Sequence, residues 1–127
     1  MARPNIASAS AIYAGATGLR LVATGPTLIV SNAASSGKVY FVESVCVANT
    51  DTSNAVSVSI QHWNNATPGT AGATGVSLCS TISVPANASL LVVSKDNAEQ
   101  LLEGESLSIT PGTASKLDVT CDWKEIS

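Results

Sequence analysis

Hydrophobic side chains alternate with small polar ones along most of this chain. In residues 55–63, AVSVSIQHW, Val56, Val58 and Ile60 take every second place, with Ser57, Ser59 and Gln61 between them. A period of two sends successive side chains to opposite faces of a strand. By that parity His62 falls inward, at the margin of a core, and Trp63 falls outward. The same beat sets Leu117, Val119, Cys121 and Trp123 on one side, against Lys116, Asp118, Thr120, Asp122 and Lys124. It sets Val76, Leu78, Ile82 and Val84 against Ser77, Cys79, Thr81 and Ser83. In the long run 38–49, Glu43 interrupts Val39, Phe41, Val45 and Val47, which predicts a bulge there or a partner over that face. Residues 88–95 are apolar on both faces and predict a central strand, or one covered from outside.

Turn residues punctuate these runs. Gly25-Pro26, the 33–37 loop, 50–54, 64–75, Pro85-Ala86-Asn87, Glu103-Gly104 and Pro111-Gly112 bound strands at 19–24, 27–32, 38–49, 55–63, 76–84, 88–95, 106–110 and 116–126. No pattern of helical period persists, and one helical turn is expected near 97–101. About eight short strands at this spacing predict an all-β fold, an antiparallel β-sandwich of jelly-roll-like or immunoglobulin-like kind. Residues 1–18 are small and weakly patterned. They are expected to form an extended N-terminal arm, with the sandwich spanning 19–127.

Composition narrows the function. Of the 127 residues only 12% are charged, with a net charge of −3. The six basic residues are scattered, so no stripe forms to bind nucleic-acid phosphates. No apolar run reaches the length of a membrane-spanning helix. The first 18 residues have no continuous apolar stretch of the kind a secretion signal needs. Cys46, Cys79 and Cys121 are far apart and odd in number, and are expected to be buried reduced thiols. No C-x-x-C or paired histidine points to a metal, and no cofactor is expected. The sequons at Asn65 and Asn87 would matter only in a secreted protein.

Candidate chemistry is sparse. His62 is the single histidine, and no sequence signal supplies a nucleophile or an orienting group for it. The glycines at 15–18 and 69–75 lack the helix and lysine of a phosphate loop and read as flexible loop. Asp96, Glu99, Glu103 and Glu105 form the densest acidic cluster and read as a solvated turn. Trp63, with Tyr40, could offer a stacking platform for a sugar. Trp63 could equally be covered by its own loop or anchor an interface. An enzyme is not expected.

The phrases KVYFVESVCVANTDTSNAVSVSIQHW, VPANASLLVVSKDN, LLEGESLSI and KLDVTCDWKEI, within residues 38–126, resemble small virion structural proteins of tailed bacteriophages. The resemblance implies a β-sandwich that decorates and cements the capsid, often as a trimer, or sits at the head–tail junction or tail. It implies partners in itself and in the major capsid protein, assembly in the host cytoplasm, and no catalytic residue. The expected contact residues are Arg3, Pro4, Ile6, Ile12 and Tyr13 of the arm, and Trp63.

Overall fold

A computed structural model describes residues 6–127 of the chain. It is an all-β sandwich of two antiparallel sheets. A 3-10 turn, Ile6–Ser8, leads into β1 (Ile12–Arg20), β2 (Thr27–Asn32), β3 (Val39–Asn49) and β4 (Val56–Trp63). There follow β5 (Gly75–Val84), β6 (Ser89–Val93), a second 3-10 turn (Lys95–Asn97), β7 (Glu99–Leu101), β8 (Glu105–Pro111) and β9 (Leu117–Ile126). One sheet has the order β1-β9-β3-β6, with β7 also pairing β3, and the other β2-β8-β4-β5. Apart from the short β7, this interleaving of first, last, third and sixth strands against second, eighth, fourth and fifth is the double Greek key of a jelly roll.

The core lies between the sheets. Val42, Val45 and Val47 of β3 are fully buried against Ile60 of β4 and Leu107 and Ile109 of β8. Each such side chain contributes roughly 1.5–3 kcal/mol by leaving water. Leu101 is fully buried at one end of this core, and Gly104 turns the chain at a φ of 76°, a conformation that favours glycine. The expected interruption at Glu43 is a bulge, because β3 slips register against β9 between Val42 and Ser44. The extra residue turns its carboxylate to Lys124, 2.9 Å away.

Two buried asparagines join the sheets. Asn32 of β2 donates to the carbonyls of Lys38 (2.9 Å) and Leu101 (3.2 Å), and accepts from Ser36 Oγ (2.6 Å). Asn49, at the far end of β3, donates to the carbonyls of Asn54, Val84 and Pro85 and accepts from the Asp51 amide.

Several expectations are corrected. The strand expected at 19–24 starts at Ile12 and ends at Arg20, so residues 12–18 of the expected arm pair with β9 from Ile12↔Ile126 to Gly18↔Thr120. Backbone bonding needs no large side chain, which is why Ala-Gly-Ala-Thr-Gly could hide a strand. The helical turn near 97–101 falls earlier, at Lys95–Asn97, and 99–101 is strand paired with β3. β6 is an edge strand rather than a central one, and Leu91 on it is 58% exposed. In β5, register slips against β4 between Val58 and Ile60 and again between Ile60 and Gln61. Cys79 therefore stands opposite Ile60 and packs on the core, not outward with Ser77. Val76 and Ile82 stand opposite His62 and Val58, yet on this edge strand they stay 64% and 41% exposed.

Candidate functional site

His62 stands where parity placed it, but its partners are distant in sequence. Its Nδ1 lies 2.6 Å from Glu99 Oε1 on β7, and its Nε2 lies 3.2 Å from Glu105 Oε2 on β8. Since β7 belongs to one sheet and β4 and β8 to the other, the ring clasps the sheets together. A neutral imidazole has one N–H for two carboxylates, and a doubly protonated ring serves both. Glu105 also accepts from the Leu102 amide at 2.7 Å, and Glu103 from the Gly37 amide at 2.7 Å. The acidic cluster is thus corrected from a solvated turn: three of its members are committed to bonds within the chain. Both carboxylates hold and orient the ring. Among the described residues, no group of three or more His, Cys, Asp or Glu side chains is arranged to hold a metal ion.

Trp63 projects outward and is half-buried. Its indole N–H donates to Ser108 Oγ at 2.8 Å, and its ring lies on Gly75, where a Cβ would approach within 2.9 Å. Residues 69–75 are expected to be a flexible loop, and the 64–74 segment is bonded within itself and onto the outer face. Asn64 and Thr74 exchange bonds of 3.1 and 2.7 Å, Ser106 Oγ donates to the Asn65 carbonyl at 2.6 Å, and Ser31 Oγ to that of Ala66 at 2.9 Å. Trp63 and Tyr40, weighed together as a sugar platform, stand on different sheets. Tyr40 stacks instead on Trp123, with centroids 6.4 Å apart and planes 4° from parallel. Burial and the neighbouring Glu125 carboxylate raise the pKa of the Tyr40 phenol. Glu125 is in turn paired with Lys38.

Of the expected contact residues, Arg3 and Pro4 lie outside the described residues, and Ile6 heads the first 3-10 turn. Ile12 and Tyr13 open β1 and are 60% and 62% exposed. Tyr13 shares a face with Tyr40 through Glu125, since both pair with it. Two residue pairs on, the Trp123 indole lies against Gly15, where a Cβ would meet it at 2.4 Å. Trp63 belongs to the opposite sheet, so the structure brings Ile12 and Tyr13 together and does not bring Trp63 to them.

A surface feature that sequence reading missed is the placement of the exposed apolar side chains. Among the described residues these are Ile12, Tyr13, Val22, Leu28, Val76, Ile82 and Leu91. All lie on the edge strands β1, β2, β5 and β6, save Val22, which follows β1 by two residues. No signal in the sequence ranks strands as edge or centre, and only the topology does so. A shallow depression, open to solvent, runs over Gly18 to Arg20 and Asp118 to Thr120, and is crossed by the Arg20–Asp118 ion pair at 2.7 and 3.0 Å. That pair lowers the pKa of Asp118 through the guanidinium hydrogen bonds. The three cysteines are unpaired, with Cys121 buried and Cys46 and Cys79 partly so. Burial pushes the Cys121 thiol up to about 12.

No protein-family model matches the chain, and no curated protein does. Among solved structures it is similar to a chain of the Bacillus endospore appendages, described as disulfide-linked pili. That likeness has 16% identity and a TM-score of 0.46, over 91% of this chain and 88% of that one. It is also similar to a chain of the capsid of Helicobacter pylori bacteriophage KHP30, with 7% identity and a TM-score of 0.49 over 94% and 90%. A third likeness is to a chain of the infectious bursal disease virus particle, with 5% identity and a TM-score of 0.49. It covers 94% of this chain but only 32% of that one.

Proposed function

We propose that this chain is a non-enzymatic structural subunit of a virus particle, working by contact with copies of itself and with neighbouring coat proteins. The observation that carries the reading is the placement of exposed apolar side chains on each of the four edge strands. An edge strand presents unpaired backbone groups, and apolar side chains beside them make it a surface that another chain can cover. The sparse charges support the same reading, because they cost little to bury among many copies. Arg20, Lys38, Lys116 and Lys124 each already face a carboxylate of their own chain. A jelly roll is a fold that viral shells use, although a fold alone leaves function open.

In its finer form the proposal is a decoration protein that cements a phage head, as a trimer seated on the major capsid protein and assembled in the host cytoplasm. An N-terminal arm with Arg3, Pro4 and Ile6 reaches a neighbour, Ile12 and Tyr13 meet it at the start of β1, and the open flank of Trp63 adds a second contact. Many weak contacts on a lattice then sum to firm attachment. The test is the protein composition of purified particles, with the chain located by imaging. Many copies spread over the head support decoration. A single ring at the neck selects the head–tail reading, and absence from the particle overturns both.

A further inference from the structure

The four sheet edges are not alike. β2 is six residues long and slips register between Leu28 and Val30. β5 slips twice and carries Thr81 at a φ of 52°. The opposite edge of the larger sheet is divided between β6, which slips between Val45 and Cys46, and a β7 of three residues. Bulges and short strands are the devices by which native sheets discourage further pairing. β1 has none of them. It pairs with β9 over nine residues without a slip, contains no proline or lysine, and has its one charge at its last residue, tied to Asp118.

The register says which of its backbone groups are free. Ser127 donates to the Ala11 carbonyl and Leu21 donates to the Leu117 carbonyl, so residues of odd number in this strand bond to β9. In an antiparallel ladder, bonded and non-bonded pairs alternate. The N–H and C=O of Ile12, Ala14, Ala16, Gly18 and Arg20 therefore point away from β9, and among the described residues β1 pairs with no other strand.

We infer that β1 pairs antiparallel with β1 of a second copy of this chain about a two-fold axis at Ala16, joining the two larger sheets into one. This rests on the reading that the protein acts by contact among its copies, not on the trimer, since a two-fold pairing cannot close a ring of three. The register is self-complementary. Centring on Ala16 sets Ala14 opposite Gly18 and Ile12 opposite Arg20, so each free donor meets a free acceptor. On the other face Tyr13, 62% exposed, comes to lie over Leu19 of the second copy, and Gly15 opposes Thr17. The small residues fall at the centre and the bulky ones at the ends, where each bulky side chain faces a different one. Arg20 faces an isoleucine, so no like charges oppose one another.

Sedimentation of the full chain from micromolar to millimolar concentration tests this, with Ala16→Pro and Ala16→Lys beside the wild type. Among the described residues nothing accepts the Ala16 N–H, and proline is tolerated on an edge whose N–H faces outward. Both variants therefore keep the wild-type circular dichroism and melting behaviour. Ala16→Lys places two ammonium groups opposite each other across the axis. The expected result is a wild-type dimer whose dissociation constant rises on the order of 100-fold in each variant. Hydrogen exchange supplies the second reading. The amides of Ala14, Ala16 and Gly18 slow as the wild type dimerises, while those of Gly15 and Thr17 are slow throughout. Wild type and variants that sediment alike, all monomeric or all dimeric, overturn the edge pairing and leave the assembly proposal standing if the chain is still found in particles. Absence from particles overturns the assembly proposal, whatever the sedimentation shows.

Discussion

Replacing Asn49 by leucine or by aspartate probes the joint between the two sheets. The Asn49 side chain is buried, with 3% exposure of the residue. Its amide nitrogen lies 2.9 Å from the carbonyls of Asn54 and Val84 and 3.2 Å from that of Pro85, and its oxygen accepts the Asp51 N–H at 2.9 Å. Leucine keeps the bulk and removes every bond. The Val84 carbonyl, on a residue 1% exposed, is then stranded where water cannot reach it. That costs about 1–3 kcal/mol. The other carbonyls are nearer the surface, and Pro85 still receives the Ala88 N–H at 3.2 Å, so together they add about 1 kcal/mol. Burying the leucine methyls returns part of this, which leaves a net loss of about 2–3 kcal/mol.

In a domain of this size that loss lowers Tm by roughly 6–15 °C. Aspartate at the same place turns a carboxylate oxygen toward three carbonyl oxygens and buries its charge, so it costs more than leucine at neutral pH. This penalty shrinks in acid as the carboxyl takes up a proton and donates one bond. Urea denaturation with unchanged m-values is the assay. Asn49→Leu within about 0.5 kcal/mol of wild type, smaller than any stranded carbonyl should cost, would refute the reasoning. So would an Asn49→Asp no worse than the leucine at neutral pH.

Three further outcomes are expected. Gly15→Val drives a Cβ into the Trp123 indole, at 2.4 Å in the present geometry, and so breaks the stack on Tyr40. The loss is about 1–2 kcal/mol, read in urea together with a changed near-ultraviolet dichroism of the aromatics. The Cys121 thiol, buried and with its pKa near 12, stays unreactive to a thiol reagent in the native protein at neutral pH and reacts as the chain unfolds. Asp118→Asn removes a carboxylate whose pKa Arg20 lowers below 3.8 in the fold, a contribution present above that value and lost as pH falls through the lower folded one. The stability gap between wild type and variant is therefore flat at neutral pH and closes in acid. A gap that widens in acid contradicts the ion pair.

Where a strand lies between two others and buries one face, alternation alone reveals it. β3, β4 and β9 are of this kind, and the bulge at Glu43 shows as a charge in an apolar row. β1 escapes such reading because its bonds are made by backbone, and its glycines and alanines have no pattern to show. β5 escapes differently: the first register slip reverses parity and the second restores it, so Cys79 between them stands opposite buried Ile60 although alternation sets it with Ser77. Asn32 and Asn49 stand at strand ends, where asparagine ordinarily means a turn. Their bonds run to residues as distant as Leu101 and Val84, which no local window contains. The clasp of His62 is hidden for the same reason, as Glu99 and Glu105 lie far along the chain from it.

Ala11 and Ser127 are hydrogen-bonded neighbours, with the Ser127 amide 3.0 Å from the Ala11 carbonyl and the Ser10 amide 2.7 Å from the Ser127 carbonyl. Whatever is fused after residue 127 therefore emerges beside whatever precedes residue 10, at one corner of the molecule. A short peptide could tie these two points, and the polypeptide could be reopened in the 64–74 loop to yield a circular permutant. A label displayed at either point would report on the same side of whatever array the molecule joins.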